Sequence, residues 1–341
     1  MSRCSSASIR RPAQEGPRIA RIWFERQVLP LLQPYVPSSV EVLGPGRPED
    51  THAGIETAHG AIVARSRFDE RVFDRAPDLV AICRTGIGCD SIDLEAATRR
   101  GVAVCNAPDG PTVSTAEHTV ALMLAVSKSL LRAGNQLRTA CGDGDHYATH
   151  LGIELHGKTL GLVGFGRIAR RVAAIGTGLS MHVHAYDPYI AEGAFPSSVV
   201  RAQTLEELLM ASDVVSVHVP MTSTNARMFD ARAFATMKPG AVFVNAARGG
   251  LVDQDALLEA LDSGHLFGAG LDVTDPEPLD TSHPLLHRPN VTVTPHVAAG
   301  TDEARVRMFQ PAVEQAIMVI EGRRPPHMVN PDAWKGVIAR L

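Results

Sequence analysis

The fold is decided by the stretch Gly161-Leu-Val-Gly-Phe-Gly-Arg-Ile-Ala169, which contains the pattern G-x-G-x-x-A. An apolar run, Lys158-Thr-Leu-Gly-Leu-Val163, precedes it, and apolar residues recur at helical spacing from Arg167 to Leu179. A strand that enters a glycine turn and opens a helix is the context in which this pattern binds a dinucleotide. The first glycine permits the tight turn, the second lets the backbone approach a pyrophosphate, and the helix N-terminus faces the phosphates.

A carboxylate stands at the expected distance beyond the glycine turn. Asp187 lies 23 residues after Gly164, at the end of the next apolar run. There it can accept hydrogen bonds from the ribose hydroxyls and would repel a 2′-phosphate, so the predicted cofactor is NAD. The alternative is a glycine turn in an ordinary βα unit. The turn and the Asp-Pro pair supply the predicted cofactor-binding residues Gly164, Phe165, Gly166, Arg167, Ile168, Asp187 and Pro188.

Length and composition restrict the class of protein. A chain of 341 residues, 45% hydrophobic and 21% charged, predicts two globular domains. The net charge of −4 is spread along the chain, so neither a nucleic-acid surface nor a membrane-binding patch is expected. Residues 1–17 lack an apolar segment and predict a disordered tail rather than a secretory signal. The five cysteines form no C-x-x-C pair, which predicts reduced thiols in a cytoplasmic protein without a metal site.

Strand-like runs alternate with helical patterns along the chain, which predicts an α/β fold with parallel sheets covered on both faces. About 110 residues of this pattern precede the glycine turn, so we expect two doubly wound parallel-sheet domains. Long helices are predicted over Ser114 to Leu137 and Val297 to Gly322. The predicted strands are Arg18–Phe24, Val40–Leu43, Ala61–Ala64, Leu79–Cys83, Val102–Asn106, Thr159–Val163, His182–Tyr186, Val214–Val219, Ala241–Asn245, Gly268–Val273 and Val291–Thr294.

Three polar residues follow the last three predicted strands: Arg248, Glu277 and His296. Ligands of open α/β sheets bind outside the carboxyl ends of the strands, so these residues can meet beside the cofactor. Such a set suits hydride transfer at a 2-keto or 2-hydroxy acid, because histidine can move the proton and a carboxylate can hold its tautomer. The guanidinium can bind the substrate and polarise its carbonyl. Singly, each could instead be a surface ion pair, a turn acid or a core histidine.

Six segments together resemble the successive signatures of the D-isomer-specific 2-hydroxyacid dehydrogenase family. They are GFGRIA, YDP, HVP, NAARGGLVD, GAGLDVTDPEP and TPHVAAGT, within roughly residues 60 to 330. The resemblance implies that Arg248, Glu277 and His296 form the catalytic set. It also implies that Asp272 contacts the nicotinamide amide and that His218, Val219 and Pro220 line the adenine side. The expected cofactor site further includes Ala246, Ala247, Arg248 and His296.

The same resemblance implies a domain arrangement and an assembly. We expect a Rossmann-type NAD-binding domain over 114–297 and a flavodoxin-like substrate domain made of 18–113 and 298–333. Homodimers would form through the NAD-binding domains. The partners are then a small 2-keto or 2-hydroxy acid and a second copy of the chain. Nothing resembling the regulatory domain of some relatives follows Ala339, so a short form is expected.

The N-terminal half resembles the phosphoglycerate dehydrogenase branch in Ala64-Arg65-Ser66 and in the segment from Arg84 to Asp93, although Ser91 replaces the usual Asn. This implies substrate contacts from Arg65, Ser66, Arg84, Gly86, Ile87 and Gly88, in addition to Arg248 and His296. The two additional arginines could meet a phosphate. The predicted function is therefore an NAD-dependent D-2-hydroxyacid dehydrogenase that resembles 3-phosphoglycerate dehydrogenase.

Two alternatives stay open. If the substrate carries no phosphate, the protein would be a glyoxylate/hydroxypyruvate reductase. A different class is a binding protein, because the family includes corepressors that keep the catalytic set and use the dinucleotide as an assembly signal. The long partner-binding tails of those corepressors would separate the two classes, and the sequence favours the enzyme.

Overall fold

The computed structural model describes residues 19–139 and 145–341. Contacts within the chain divide the molecule into two compact units. Within the described residues, the first unit contains 19–85 together with 91–106 and 309–341, and the second contains 86–90, 107–139 and 145–308. The predicted boundaries were 113/114 and 297/298, and the short segment 86–90 was not expected in the second unit. The tail predicted for residues 1–17 lies outside the described residues.

The strands are short and mostly buried, and all their pairings within the sheets are parallel. In chain order they are β1 (Ala20–Phe24), β2 (Val40–Leu43), β3 (Gly60–Val63), β4 (Ala81–Arg84), β5 (Ala103–Cys105), β6 (Thr159–Val163), β7 (His182–Tyr186), β8 (Val199–Arg201), β9 (Val214–Val217), β10 (Ala241–Asn245), β11 (Leu266–Leu271) and β12 (Val291–Val293).

Helices connect most of these strands, as parallel pairing requires. They are α1 (Glu70–Arg75), α2 (Leu94–Arg99), α3 (Thr112–Ser127), α4 (Leu130–Thr139), α5 (His146–Thr149), α6 (Arg167–Gly178), α7 (Leu205–Ala211), α8 (Ala231–Thr236), α9 (Gln254–Asp262), α10 (Pro284–His287), α11 (Asp302–Ile320) and α12 (Trp334–Arg340). In the described parts of the chain, no helix has the length and apolar character needed to cross a membrane.

The first unit contains a five-stranded sheet in the order β2-β1-β3-β4-β5, which is the flavodoxin-like order. The C-terminal segment returns to this sheet through the buried Asn330. Its side chain accepts a hydrogen bond from the amide of Val104 at 2.7 Å and donates to the carbonyl of Val102 at 3.0 Å. These bonds anchor the last residues of the chain on a sheet formed by its beginning.

The second unit contains a seven-stranded sheet in the order β12-β11-β10-β9-β6-β7-β8. This is the Rossmann order with one further strand. Strand β10 shows how the core forms, because Phe243 packs in one apolar cluster while Val242 and Val244 pack in the other. Alternation along a strand therefore places apolar side chains on both faces of the sheet. The predicted fold class, two doubly wound parallel-sheet domains, is confirmed.

Local structure departs from the sequence prediction in two places. The helix predicted over Ser114 to Leu137 is two helices, because Ser129 adopts a left-handed backbone with φ of 47°. There the carbonyl of Ser127 accepts a hydrogen bond from the amide of Ile153, so a later segment docks at the break. Strand β8 was not predicted; its three residues, Val199–Arg201, pair with β7 at the edge of the sheet.

Candidate active site

Six loops that carry predicted site residues leave the carboxyl edge of the seven-stranded sheet. Strands β6 and β9 are neighbours. From β6 the chain leads outward to β7 and β8, and from β9 it leads in the opposite direction to β10, β11 and β12. This reversal of strand order is where doubly wound folds bind ligands. The residues on these loops, in the order β6, β7, β9, β10, β11 and β12, are Gly164, Asp187, His218, Arg248, Asp272 and His296.

The glycine turn after β6 has the geometry that a dinucleotide requires. Gly164 has φ of +88°, and an added Cβ would lie 2.8 Å from the carbonyl oxygen of His218. Gly166 is the N-cap of α6, and an added Cβ there would meet nothing within 4 Å. Ala169 is fully buried in the apolar cluster that contains Leu160 and Leu162 of β6. The open space over a helix N-terminus therefore fits a pyrophosphate, whose approach a side chain at Gly166 would hinder.

Asp187 is tied to the glycine turn by its own hydrogen bonds. Its carboxylate accepts from the amide of Phe165 at 2.9 Å and from the amide of Tyr189 at 2.9 Å. Each oxygen keeps a further lone pair, so acceptance from ribose hydroxyls remains chemically possible. The turn and the acid, predicted as separate elements of the cofactor site, thus form one hydrogen-bonded unit.

The other predicted cofactor residues near the turn differ in exposure. The Phe165 ring is fully buried, stacked 5.1 Å from Phe195, so this residue offers a ligand only its backbone. Arg167 pairs with Asp109 at 2.8 Å, and both side chains are mostly exposed. Ile168 is half-buried, and Pro188 is exposed.

The segment His218-Val219-Pro220 packs against the glycine turn. The Nε2 atom of His218 lies 2.9 Å from the hydroxyl of Ser216. Burial lowers the pKa of His218 to about 4, so the imidazole is neutral near pH 7. Val219 contacts the turn, because an added Cβ on Gly164 would lie 2.8 Å from its Cγ1 atom. Pro220 is exposed at the start of the following loop.

A buried asparagine builds the loop that carries Arg248. Asn245 ends β10, and its Oδ1 accepts from the amide of Ala247 at 2.9 Å. Its Nδ2 donates to the carbonyl of Arg248 at 2.8 Å. These bonds fold Ala246 and Ala247 into a tight turn. An asparagine at the end of an apolar strand was the available sequence signal for this role.

The guanidinium of Arg248 lies against the loop Gly86–Asp90, within the same unit. Its Nε donates to Oδ2 of Asp90 at 2.9 Å. An added Cβ on Gly88 would lie 1.7 Å from Nη2 of Arg248. Gly86, Ile87 and Gly88 were predicted to bind substrate, so the structure brings this loop and the predicted catalytic arginine together. Asp90 was not predicted as a site residue, although it lies within the segment that resembled the phosphoglycerate branch.

Glu277 and His296 form a hydrogen-bonded pair. Oε1 of Glu277 lies 2.7 Å from Nδ1 of His296, and both side chains are about one-third exposed. An ionised carboxylate only accepts, so this contact places a proton on Nδ1 and leaves Nε2 as the ring nitrogen not engaged by Glu277. His296 has φ of 54°, an uncommon backbone conformation for a residue other than glycine. Such outliers concentrate at functional sites.

A buried carboxylate holds the His296 loop in place. Oδ1 of Asp272 accepts from the amide of Val297 at 2.8 Å and from the hydroxyl of Thr294 at 2.7 Å, while Oδ2 accepts from the amide of Ala298 at 2.9 Å. Nε2 of His118 lies 3.4 Å from Oδ1. Burial alone would raise the pKa of Asp272, but these hydrogen bonds outweigh burial and lower it. The contact of Asp272 with a nicotinamide amide stays a prediction.

The remaining predicted substrate residues lie in the first unit. Arg65 is exposed, Ser66 is half-buried, and Arg84 is the half-buried last residue of β4. Glu25, which follows β1, accepts hydrogen bonds from the amides of Arg65 at 2.8 Å and Ser66 at 3.1 Å, and also from the amide of Ala64. Glu25 was not predicted as a site residue, although the sequence shows a carboxylate directly after an apolar strand. Because Glu25 fills these amides, an anion at this loop would be bound by side chains rather than by these backbone groups.

Known proteins resemble this chain over most of its length. Residues 120–298 match the model of the D-isomer specific 2-hydroxyacid dehydrogenase, NAD binding domain. The D-3-phosphoglycerate dehydrogenase of Archaeoglobus fulgidus is 40% identical over 272 residues, which cover 79% of this chain and 51% of the relative. The glyoxylate reductase of Aeropyrum pernix is 35% identical over 327 residues, which cover 92% of this chain and 97% of the relative.

Solved structures resemble it as well. A crystal structure of a protein from Thermus thermophilus superposes with a TM-score of 0.82 at 40% identity, covering 91% of this chain and 99% of that one. The chain spans about half the length of the phosphoglycerate dehydrogenases that it matches. The family inferred from the sequence is confirmed, and with it the NAD-binding character of residues 120–298. The chain belongs to the D-isomer-specific 2-hydroxyacid dehydrogenase family.

Proposed function

We propose that this protein transfers a hydride between NAD(H) and a 2-keto or D-2-hydroxy acid. The observation that carries the proposal is the 2.7 Å contact between Glu277 and His296, on loops that follow neighbouring strands of a sheet with a dinucleotide turn. A histidine oriented by a carboxylate is a proton donor and acceptor that can work near neutral pH. This proton accompanies the hydride in the reduction of a carbonyl.

Each residue of the proposed catalytic set has its own part in the reaction. NAD(H), when bound, supplies or accepts the hydride. Nε2 of His296 gives a proton to the substrate oxygen during reduction and removes it during oxidation. Glu277 keeps the proton on Nδ1 and stabilises the imidazolium form. Arg248 binds the substrate carboxylate and polarises the carbonyl through its N–H donors.

We infer that the substrate belongs to the phosphoglycerate type. The Archaeoglobus relative supports this assignment, as do two arginines of the first unit, Arg65 and Arg84, that are additional to Arg248. A simple 2-keto acid has one anionic group, whereas phosphohydroxypyruvate has a second that a guanidinium can bind. The alternative is a glyoxylate/hydroxypyruvate reductase, which the Aeropyrum relative supports.

A steady-state screen tests the function. The purified chain is assayed for NADH oxidation with glyoxylate, hydroxypyruvate, pyruvate, 2-ketobutyrate and phosphohydroxypyruvate, and then with NADPH. We expect the highest kcat/KM with phosphohydroxypyruvate. NADH should exceed NADPH by about tenfold or more, because Asp187 would face the 2′-phosphate as a like charge. If the protein turns over none of these acids, the proposal is refuted. Equal kcat/KM with NADPH would refute the cofactor assignment.

We further propose a cytoplasmic homodimer formed through the NAD-binding domains. The buried free thiols of Cys83 and Cys105 support a reducing compartment. Leu130 and Leu137 are 58% and 73% exposed, and two helical turns separate them, so they share one face of α4. This pair of exposed leucines is the surface that we propose to lie in the dimer interface. Light scattering should show a smaller mass for Leu137→Asp, but not for Met210→Asp, which alters an exposed apolar residue of α7.

A further inference from the structure

The guanidinium of Arg248 is held from two directions. Its Nε donates to Oδ2 of Asp90 at 2.9 Å, and its Nη1 donates to the carbonyl of Ala247 at 2.7 Å. The backbone of the same residue is fixed by Asn245. Nη2 makes neither of these two bonds and carries two of the five N–H groups of the guanidinium. The protein thus fixes both the position and the plane of the group.

Gly88 completes this arrangement through its missing side chain. An added Cβ would lie 1.7 Å from Nη2 and 2.7 Å from Oδ2 of Asp90. The arginine and the aspartate therefore both pack against the Cα atom of Gly88. Any larger residue would push the guanidinium away from its present position. The loop Gly86–Asp90 and the loop of Arg248 therefore pack together as one structural unit.

The contact with Asp90 contributes little to the free energy of folding. The side chains of Arg248 and Asp90 are 28% and 50% exposed, and water screens an ion pair of such exposure. The pair also joins residues 158 positions apart, so it does not stabilise a local element. An interaction with this geometry and little stabilising effect is better explained by orientation of the guanidinium.

We propose that Asp90 is the positioning residue for Arg248, an inference that rests on the proposed function. Asp90 holds Nε so that Nη2 faces the substrate carboxylate and carbonyl oxygen. Orientation matters because a guanidinium binds these oxygens through a rigid planar fork. A shift of about 1 Å in such a group can cost about 100-fold in rate.

A double-mutant cycle tests the proposal. The kcat/KM for glyoxylate at saturating NADH is measured for the wild type, Asp90→Ala, Arg248→Ala and the double variant. We expect Asp90→Ala to lower kcat/KM by about 10- to 100-fold, with NADH affinity unchanged. In the Arg248→Ala background the same change should have an effect of about twofold or less. An equal loss in both backgrounds would overturn the proposal.

Two further variants separate positioning from general damage. Asp93→Ala changes an aspartate three residues after Asp90. Asp93 caps α2 by accepting a hydrogen bond from the amide of Ala96 at 2.9 Å. Asp93→Ala should lower the thermal unfolding midpoint and leave KM and kcat unchanged. Asp90→Asn keeps an oxygen that can accept from Nε and should recover most of the lost activity. If Asp90→Ala does not fold, the cycle is run with Asp90→Asn. Its smaller loss of kcat/KM should again disappear in the Arg248→Ala background.

Oxalate binding distinguishes this inference from the proposed function. Oxalate resembles a 2-keto acid but cannot be reduced, and calorimetry measures its affinity for the NADH-loaded protein. Asp90→Ala should lower the affinity for oxalate by about the same factor by which it lowers kcat/KM. A wild type that binds oxalate through Asp90 and Arg248 but turns over no 2-keto acid would refute the function alone. An active wild type whose Asp90→Ala variant binds oxalate normally would refute the positioning role alone.

Discussion

At the scale of single residues, the side chains proposed for chemistry are each held by a second group. Glu277 holds the imidazole of His296, Asp90 holds the guanidinium of Arg248, and Glu25 holds the loop of Arg65. All three supporting groups are carboxylates that accept hydrogen bonds from the residue or loop they orient. A carboxylate suits this task because a hydrogen bond to an ion is stronger and more directional than one between neutral groups.

Replacing His296 should remove the proton transfer and keep cofactor binding. Asparagine is the suitable variant because it tolerates the left-handed backbone that His296 adopts, with φ of 54°. We expect His296→Asn to lower kcat by about 10² to 10⁴. NADH affinity, followed by fluorescence titration, should be unchanged. Near-normal turnover would reassign the histidine to a structural role. Glu277→Gln should cost less, since its amide oxygen can still accept from Nδ1.

Arg65 should distinguish a phosphorylated substrate from a simple one. Glu25 already fills the amides of its loop, so the guanidinium is the group of that loop proposed to bind a phosphate. Arg65→Ala should lower kcat/KM for phosphohydroxypyruvate by about 10- to 150-fold, equivalent to about 1.5–3 kcal/mol. Glyoxylate reduction should change little. The matched control is Arg67→Ala, which removes a mostly exposed arginine two residues away. Equal losses with both substrates would favour the glyoxylate/hydroxypyruvate reductase.

At the scale of elements, the turn between β6 and α6 shows two glycines with different reasons for being glycine. Gly164 has a left-handed backbone and lies against the carbonyl of His218. Gly166 has φ of −77° and ψ of −164°, which any residue can adopt, and open space in front of it. The first glycine is therefore needed for folding of the turn, and the second for access of a ligand to the helix N-terminus.

Alanine at these two positions should separate stability from cofactor binding. Gly164→Ala combines a strained backbone with a collision, so we expect a loss of about 1–3 kcal/mol in the free energy of unfolding. Gly166→Ala should leave that free energy nearly unchanged and weaken NADH binding by about tenfold or more. Urea unfolding and NADH titration of both variants provide the measurements. Unaltered NADH affinity in Gly166→Ala would place the pyrophosphate elsewhere.

At the scale of the whole molecule, a half-buried neutral histidine, His218, makes folding depend on pH. The pKa of His218 falls from 6.5 to about 4 on folding because burial disfavours the charged form. Between these values the unfolded chain binds more protons than the folded one, so stability rises with pH across this window and is lost as pH falls through it. The carboxyl of Asp50, whose pKa is lowered from 3.8 to about 2, titrates below this window.

Removal of this histidine should flatten the pH dependence. Between pH 7.5 and pH 5.0 the wild type should lose about 1–2 kcal/mol more stability than His218→Gln. Urea unfolding of both proteins at the two pH values gives the difference. The lowered pKa values of His52 and His184 act in the same direction but are shared by both proteins, so they cancel. Parallel pH profiles would mean that His218 is accessible to protons in the folded state.

Whole-molecule organisation also shows what sequence alone determined. Ten of the eleven predicted strands lie wholly within the described residues, and each coincides with a strand of the structure; the eleventh, Arg18–Phe24, does so from Ala20 onward. Both the fold class and the family followed from the sequence. Alternating apolar runs and glycine turns are local features, and local backbone preference with burial suffices to form them. The residues proposed for chemistry were identified in the same way, because each lies in the loop that follows an apolar strand.

Only the tertiary structure decided which groups support those residues. Asp90 meets Arg248 across 158 positions, Glu25 meets Arg65 across 40, and Asp272 meets Val297 across 25. No periodic pattern specifies such contacts, since they depend on how loops from separate strands approach at the edge of a sheet. The break at Ser129 has the same origin, because a distant segment docks there and overrides a continuous helical pattern. Local sequence therefore set the elements and the reacting groups, and packing between distant loops set their orientation.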